Sequence, residues 1–138
     1  MSWTKQQEEA LQTRNKNLLL SAAAGSGKTA VLTERIIQLV TDLHQPMDIN
    51  ELLVLTFTKA AASEMKARIS QSLSRELEQA DKSNQVDLMH HLEKQISLMG
   101  SAQISTLDSF FQSLIRQYFY LLHLDPKTQM LTDENEAY

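Results

Sequence analysis

The chain is 138 residues long, 42% apolar and 22% charged, with a formal charge of −4. That length holds one domain able to bury a core, and the composition is that of a folded globular protein, while the acidic balance argues against a self-contained nucleic-acid binder, which is usually basic. The lack of cysteine excludes a disulfide framework, a thiolate zinc site and an iron–sulfur cluster within these residues, and no apolar run approaches the ~20 residues of a membrane span.

With only 3 Gly and 2 Pro, long helices and few loops are expected. In chain order, residues 4–13 read as a helix opened by a capping box, with Thr4 as cap and Gln7 three residues on. Residues 17–22 are a short apolar run, read as a buried strand. Small residues follow, and then residues 28–43 carry Val31, Leu32, Ile36, Leu39 and Val40 at helical spacing. Residues 52–57 read as a second buried strand. Thr58 can cap the next helix, whose apolar stripe is Ala62, Met65, Ile69, Leu73, Leu77 and Ala80. Residues 85–99 form another amphipathic helix through Leu88, Met89, Leu92, Ile96 and Met99. Residues 102–106 read as a short strand and 109–123 as a helix rich in Phe, Leu and Tyr, with Asp108 as its N-cap. A further strand is expected near residues 129–132, with Asp133 and Glu134 in a surface turn. Strands alternating with helices imply an α/β fold with a parallel sheet flanked by helices. A sheet of three or four strands has raw edges, so it reads as incomplete, and the chain is expected to self-associate.

The chemistry concentrates in residues 22–29, Ala-Ala-Ala-Gly-Ser-Gly-Lys-Thr. They match the phosphate-loop pattern G-x-x-x-x-G-K-[ST], with Ala22 in place of the first glycine. The small side chains of Ala22, Ala23, Ala24, Gly25, Ser26 and Gly27 let backbone N–H groups approach phosphates closely. The helix N-terminus that follows adds partial positive charge, and Gly25 and Gly27 permit backbone angles that a Cβ forbids. Lys28 would reach the β- and γ-phosphates, and the Thr29 hydroxyl would ligate Mg²⁺. The plain alternative is a Gly-rich strand-to-helix turn with a solvated lysine. A phosphate loop by itself does not separate kinases, GTPases and helicases.

Four segments narrow the choice. Residues 3–11 (Trp3 to Leu11) resemble an adenine-reading Q motif, with Gln7 on its glutamine. Residues 22–29 carry an Ala-first loop. Residues 55–69, opening Leu55-Thr56-Phe57-Thr58-Lys59, resemble a segment that contacts single-stranded DNA, and residues 104–111 (Ile104 to Phe111) resemble the next DNA-contacting segment. Together they resemble superfamily 1 helicases of the UvrD/PcrA/Rep type, and within them most closely the AddA group of bacterial helicase/nucleases of double-strand-break repair. The stretch from Leu124-Asp125-Pro126 to Asp133-Glu134 is also similar to that group.

The resemblance implies a P-loop NTPase with a RecA-like sheet. Residues 1–138 would be the N-terminal part of a UvrD-like ATP-binding domain, forming part of the first motor domain. It further implies ATP and Mg²⁺ as ligands, held by Gln7 and residues 22–29, with Lys28 and Thr29 serving catalysis. Thr56, Phe57, Thr58 and Lys59 would meet DNA, an AddB-like second protein would complete the complex, the nuclease would lie far toward the C-terminus, and the setting would be cytoplasmic. The parts that complete hydrolysis would lie beyond residue 138, leaving the isolated chain inactive. Two positions depart from the family: Lys59 stands where Asn is usual, and Asp108 where His is usual, which puts a phosphate contact at Asp108 in doubt. The alternatives are a UvrD/PcrA-type repair helicase without nuclease, a P-loop phosphotransferase, or a non-catalytic nucleotide-binding fragment.

Other residues have plainer roles available. Gln7 also completes the Thr4 capping box without any ligand. Trp3 either packs near a base or anchors the core. Phe57 is alternatively a core residue at a strand end, and Lys66 and Arg68 a solvated helix face. Phe110, Phe111, Phe119 and Tyr120 form core or a docking face. His90 and His91 lack metal-ligand spacing and read as a polar face.

Overall fold

The computed structural model describes residues 2–21, 27–121 and 123. Helix α1 (Lys5–Gln12) is followed, after an extended stretch, by α2 (Lys28–Thr41). A single 3-10 turn (Ile49–Glu51) leads into β1 (Leu53–Thr56), then α3 (Lys59–Lys82) and α4 (Val86–Leu98). A second 3-10 turn (Met99–Ser101) precedes β2 (Gln103–Thr106), which runs directly into α5 (Leu107–Tyr118) and a last 3-10 turn (Phe119–Leu121).

β1 and β2 pair in parallel, with Leu53 opposite Gln103 and Thr56 opposite Thr106. Parallel neighbours need a crossover, and here it is the α3–α4 hairpin. The hairpin turns at Asn84, whose φ of 53° is the left-handed conformation that Asn tolerates best after Gly. Helix α3 packs on both strands, on α2 and on α4, and α2 also touches α4, so the three long helices share one core. Val40, Ile49, Ile69, Leu73 and Leu92 are its fully buried members. Each such side chain contributes about 1.5–3 kcal/mol of transfer free energy. A smaller cluster joins α1 to α2 through Ala10, Leu11 and Val31, with Trp3 against it. No helix among the described residues is long and apolar enough to cross a membrane.

The sequence expectations hold for α1, α2, α3, α4 and both strands of the sheet, with four differences. Residues 17–21 form no strand, and Leu19 is 92% exposed. An apolar run becomes a buried strand only when neighbours hydrogen-bond its edges and cover its faces, and the described sheet has two strands, neither of them beside it. The α5 cap is Thr106 and not Asp108: the Thr106 hydroxyl accepts the Ser109 N–H at 3.2 Å, so the helix begins at Leu107. Asp108 lies in the first helical turn instead, where a negative charge suits the helix dipole. That helix ends at Tyr118, short of His123. On α4 the buried stripe runs through Leu92, Gln95 and Met99, and Ile96 is partly exposed. The strand expected at 129–132 and the turn at Asp133 and Glu134 lie outside the described residues.

A polar clasp fixes the entrance to β1. The fully buried Gln95 accepts the Ile49 N–H through Oε1 at 2.6 Å and donates from Nε2 to Asp48 at 2.8 Å. Asp48 also meets Lys94 at 3.0 Å, and its N–H donates to the Glu51 carboxylate at 2.8 Å. Hydrogen bonds from Lys94 and then Gln95 hold the Asp48 carboxyl below the usual carboxylate range. His91, on the same helix, bonds the Val40 carbonyl at the last turn of α2; it ties α4 to α2 and is more than a polar face.

Candidate functional site

The N-terminus of α2 is built around Gly27. This residue caps the helix with φ +88°, and among the described residues no side chain bonds the amides of the first turn. Those amides lack intrahelical partners by construction, so they stand available to an anion. Lys28 and Thr29 follow, both exposed. The turn is anchored from below: the buried Thr33 hydroxyl bonds the Thr29 carbonyl at 2.9 Å and lies 3.4 Å from the Met65 sulfur of α3. Residues Ala22, Ala23, Ala24, Gly25 and Ser26 lie outside the described residues.

Helix α1 brings Gln7 to this turn. The Thr4 N–H donates to Gln7 Oε1 at 2.9 Å and the Gln7 N–H to the Thr4 hydroxyl at 3.2 Å, a closed capping box. The amide end of the same side chain lies beside the loop: a Cβ placed on Gly27 would stand 3.9 Å from Gln7 Nε2. Capping occupies the carbonyl oxygen and leaves the amino group facing Gly27, so the two roles weighed for Gln7 use different atoms.

Two cations that the sequence did not single out stand close by. Lys16, Lys28 and Arg35 line one groove of about 430 Å³ with Leu18, Leu20 and Leu32. Arg35 donates to the Ala10 carbonyl and Arg14 to the Leu11 carbonyl, in both cases the open C-terminal end of α1. Partial burial, and then the charge of Arg14, lower the Arg35 pKa from its ordinary value. Arg35 sits two turns along α2 from Lys28, a spacing that becomes informative only once the helix is docked against α1.

The second region lies at the C-terminal ends of both strands, the end at which parallel α/β sheets bind ligands. The register sets Thr56 beside Thr106. Leu55, Thr56, Phe57, Thr106, Leu107 and Asp108 line a groove of about 340 Å³. Phe57 is fully solvent-exposed, which overturns the core alternative for it. The Thr58 hydroxyl accepts the Ala61 N–H at 3.0 Å and caps α3, and Lys59 projects from its first turn. Farther along, Arg68 pairs with Glu64 at 2.8 Å on the exposed face of α3, away from this groove. Phe110, Phe111 and Tyr120 stand on or just after α5, which has no buried residue, so they are not core. Among the described residues no group of three or more His, Asp or Glu side chains could hold a metal ion.

An α/β chain with an open glycine-capped helix N-terminus and a groove at its strand ends fits one class closely. Residues 3–137 match the UvrD/REP helicase N-terminal domain, and the chain belongs to that family. Its curated relatives narrow the likeness further, in agreement with the AddA resemblance: they are A subunits of ATP-dependent helicase/nucleases. The chain is 50% identical over 135 residues to the one from Desulforamulus reducens, covering 98% of this chain and 10% of the relative. It is 48% identical over 137 residues to that of Clostridium novyi, covering 99% and 10%. Against that of Geobacillus thermodenitrificans it is 52% identical over 134 residues, covering 97% and 10%. The chain thus spans about a tenth of the length of the curated relatives it matches.

Proposed function

We propose that this chain is the nucleotide-binding portion of the first RecA-like motor domain of an ATP-dependent DNA helicase/nuclease that moves on single-stranded DNA during double-strand-break repair. The observation that carries this is the α2 N-terminus. Gly27 is held left-handed there, with first-turn amides that no side chain among the described residues caps, Lys28 and Thr29 exposed on that turn, and the Gln7 amino group beside it. These residues fit a nucleotide triphosphate. Residues 22–27 and the first-turn amides would take the phosphates, and Lys28 would neutralise the β- and γ-phosphate oxygens. The Thr29 hydroxyl would ligate Mg²⁺, and the Gln7 Nε2 would donate to adenine. Bound Mg²⁺ supplies charge neutralisation between the phosphates. Thr56, Phe57, Thr58 and Lys59 form the DNA-facing edge, where an exposed ring stacks on a base and hydroxyls meet phosphates. A second protein chain completes the assembly, a reading supported by the relatives' being named as one lettered component of a larger enzyme.

Turnover needs more than a phosphate loop: an acidic partner for Mg²⁺, a residue that orients water, and usually an arginine on the γ-phosphate. Among the described residues no acidic side chain lines the groove that holds Lys28, so the 138-residue chain alone is expected to bind nucleotide without DNA-stimulated hydrolysis. Among the described residues the sheet has two strands, and unpaired outer edges on such a sheet would favour self-association. Amide NMR during a Mg-ATP titration tests the assignment. Shifts should centre on Gln7 and on Gly27 to Val31, and Gln7→Ala should reduce the preference for ATP over GTP. Shifts confined to other surfaces would overturn the proposal, and an unchanged preference would return Gln7 to capping alone.

A further inference from the structure

We infer that Asp108 makes the strand-end groove selective for the base it receives, with guanine preferred; this rests on the DNA-contacting role proposed for Thr56–Lys59. The groove is lined by Phe57, fully exposed just after β1, and by Asp108 on the first turn of α5, the only charged side chain among the described residues that line it. Thr56 and Thr106, paired in register at the strand ends, line it as well. A ring with nothing packed on it offers a stacking surface to any base. A carboxylate lining the same groove does not receive a phosphate, because like charges repel. The phosphates of a strand entering here must therefore turn toward Lys59 and the α3 N-terminus, and the base edge toward Asp108.

The base edge that faces a carboxylate must donate. An ionised carboxylate is acceptor-only and takes two parallel N–H bonds best. In single-stranded DNA the Watson–Crick edge is free to be read. Guanine presents two adjacent donors there, N1–H and the N2 amino group. Cytosine and adenine each present one amino donor beside a ring acceptor, and thymine one N–H between two carbonyls. A bidentate guanine–Asp108 pair is thus the best match the groove allows, and thymine the worst. Asp108 is solvent-exposed, which keeps the discrimination at the low end of what bidentate base contacts give, about fivefold.

The test uses the ¹⁵N-labelled chain at low salt and thymidine pentanucleotides with a central guanine, cytosine, adenine or thymine, with affinities and contact sites read from amide shifts. The guanine oligonucleotide should bind about fivefold tighter than all-thymine, with shifts at residues 55–59 and 106–109. Asp108→Asn, which is isosteric and exposed, should bring that ratio close to one without weakening the all-thymine complex. Asp108→His should strengthen binding of every oligonucleotide and level the preference. Equal affinities in the unmodified chain, or a guanine preference that survives Asp108→Asn, would overturn the inference while leaving the DNA-contact role standing. Absence of shifts at residues 55–59 with every oligonucleotide would overturn the DNA-contact role itself.

Discussion

Gln95 illustrates what one residue can decide. Its side chain satisfies the buried Ile49 N–H and orients Asp48, which in turn receives Lys94. Replacing it with Leu keeps the volume but leaves the Ile49 amide without an acceptor, a cost of about 1–3 kcal/mol. The urea midpoint of Gln95→Leu should fall accordingly, and an unchanged midpoint would mean that water or a backbone shift replaces the bond. The same clasp has a pH signature. The Asp48 carboxyl is depressed in the folded chain, so its contribution is complete above the unfolded carboxylate value and is lost as pH falls through the folded one. The stability difference between the unmodified chain and Asp48→Asn should therefore stay constant near neutrality and shrink below about pH 4. Gln95 was not legible in the sequence because helical periodicity counts apolar positions, and Ile96 beside it satisfied the count. The Thr4–Gln7 capping box was legible, since both partners lie within one turn and need no tertiary context.

At the scale of elements, capping and periodicity located five helices and both paired strands, and they failed where an element depends on its neighbours. Residues 17–21 have the composition of a buried strand but no strand beside them among the described residues, and Leu18, Leu19 and Leu20 remain exposed. Helix α5 has a well-segregated apolar face, yet nothing on it is buried. The β1–α3 connection places Phe57 where packing gains nothing from it. Phe57→Ala should accordingly leave thermal stability within about 0.5 kcal/mol of the original and weaken single-stranded DNA binding several-fold, as loss of a stacking ring does. A clear fall in melting temperature would show that the ring is buried in solution and would remove the stacking platform.

Across the whole molecule, one core unites α2, α3 and α4 beneath β1, and α1 is fastened to α2 by a second small cluster and by Arg35 and Arg14. This arrangement supports the two candidate sites: the Thr33 hydroxyl bonds the first turn of α2, with Gln7 lying beside Gly27, and the paired register of β1 and β2 holds the strand-end groove. The phosphate loop proposed for residues 22–29 rests on the sequence, because its chemistry demands contiguous small residues followed by Lys28 and Thr29, and residues 22–26 lie outside the described residues. Lys16 and Arg35 join that neighbourhood only through the docking of α1, which no local pattern encodes. The central claim is that this loop holds Mg-ATP through Lys28, and calorimetry on the folded chain and on Lys28→Ala measures it most directly. The account predicts measurable Mg-ATP binding to the unmodified chain and a drop of tenfold or more in the variant, about 1.4 kcal/mol or greater; equal affinities in two equally folded samples would contradict it.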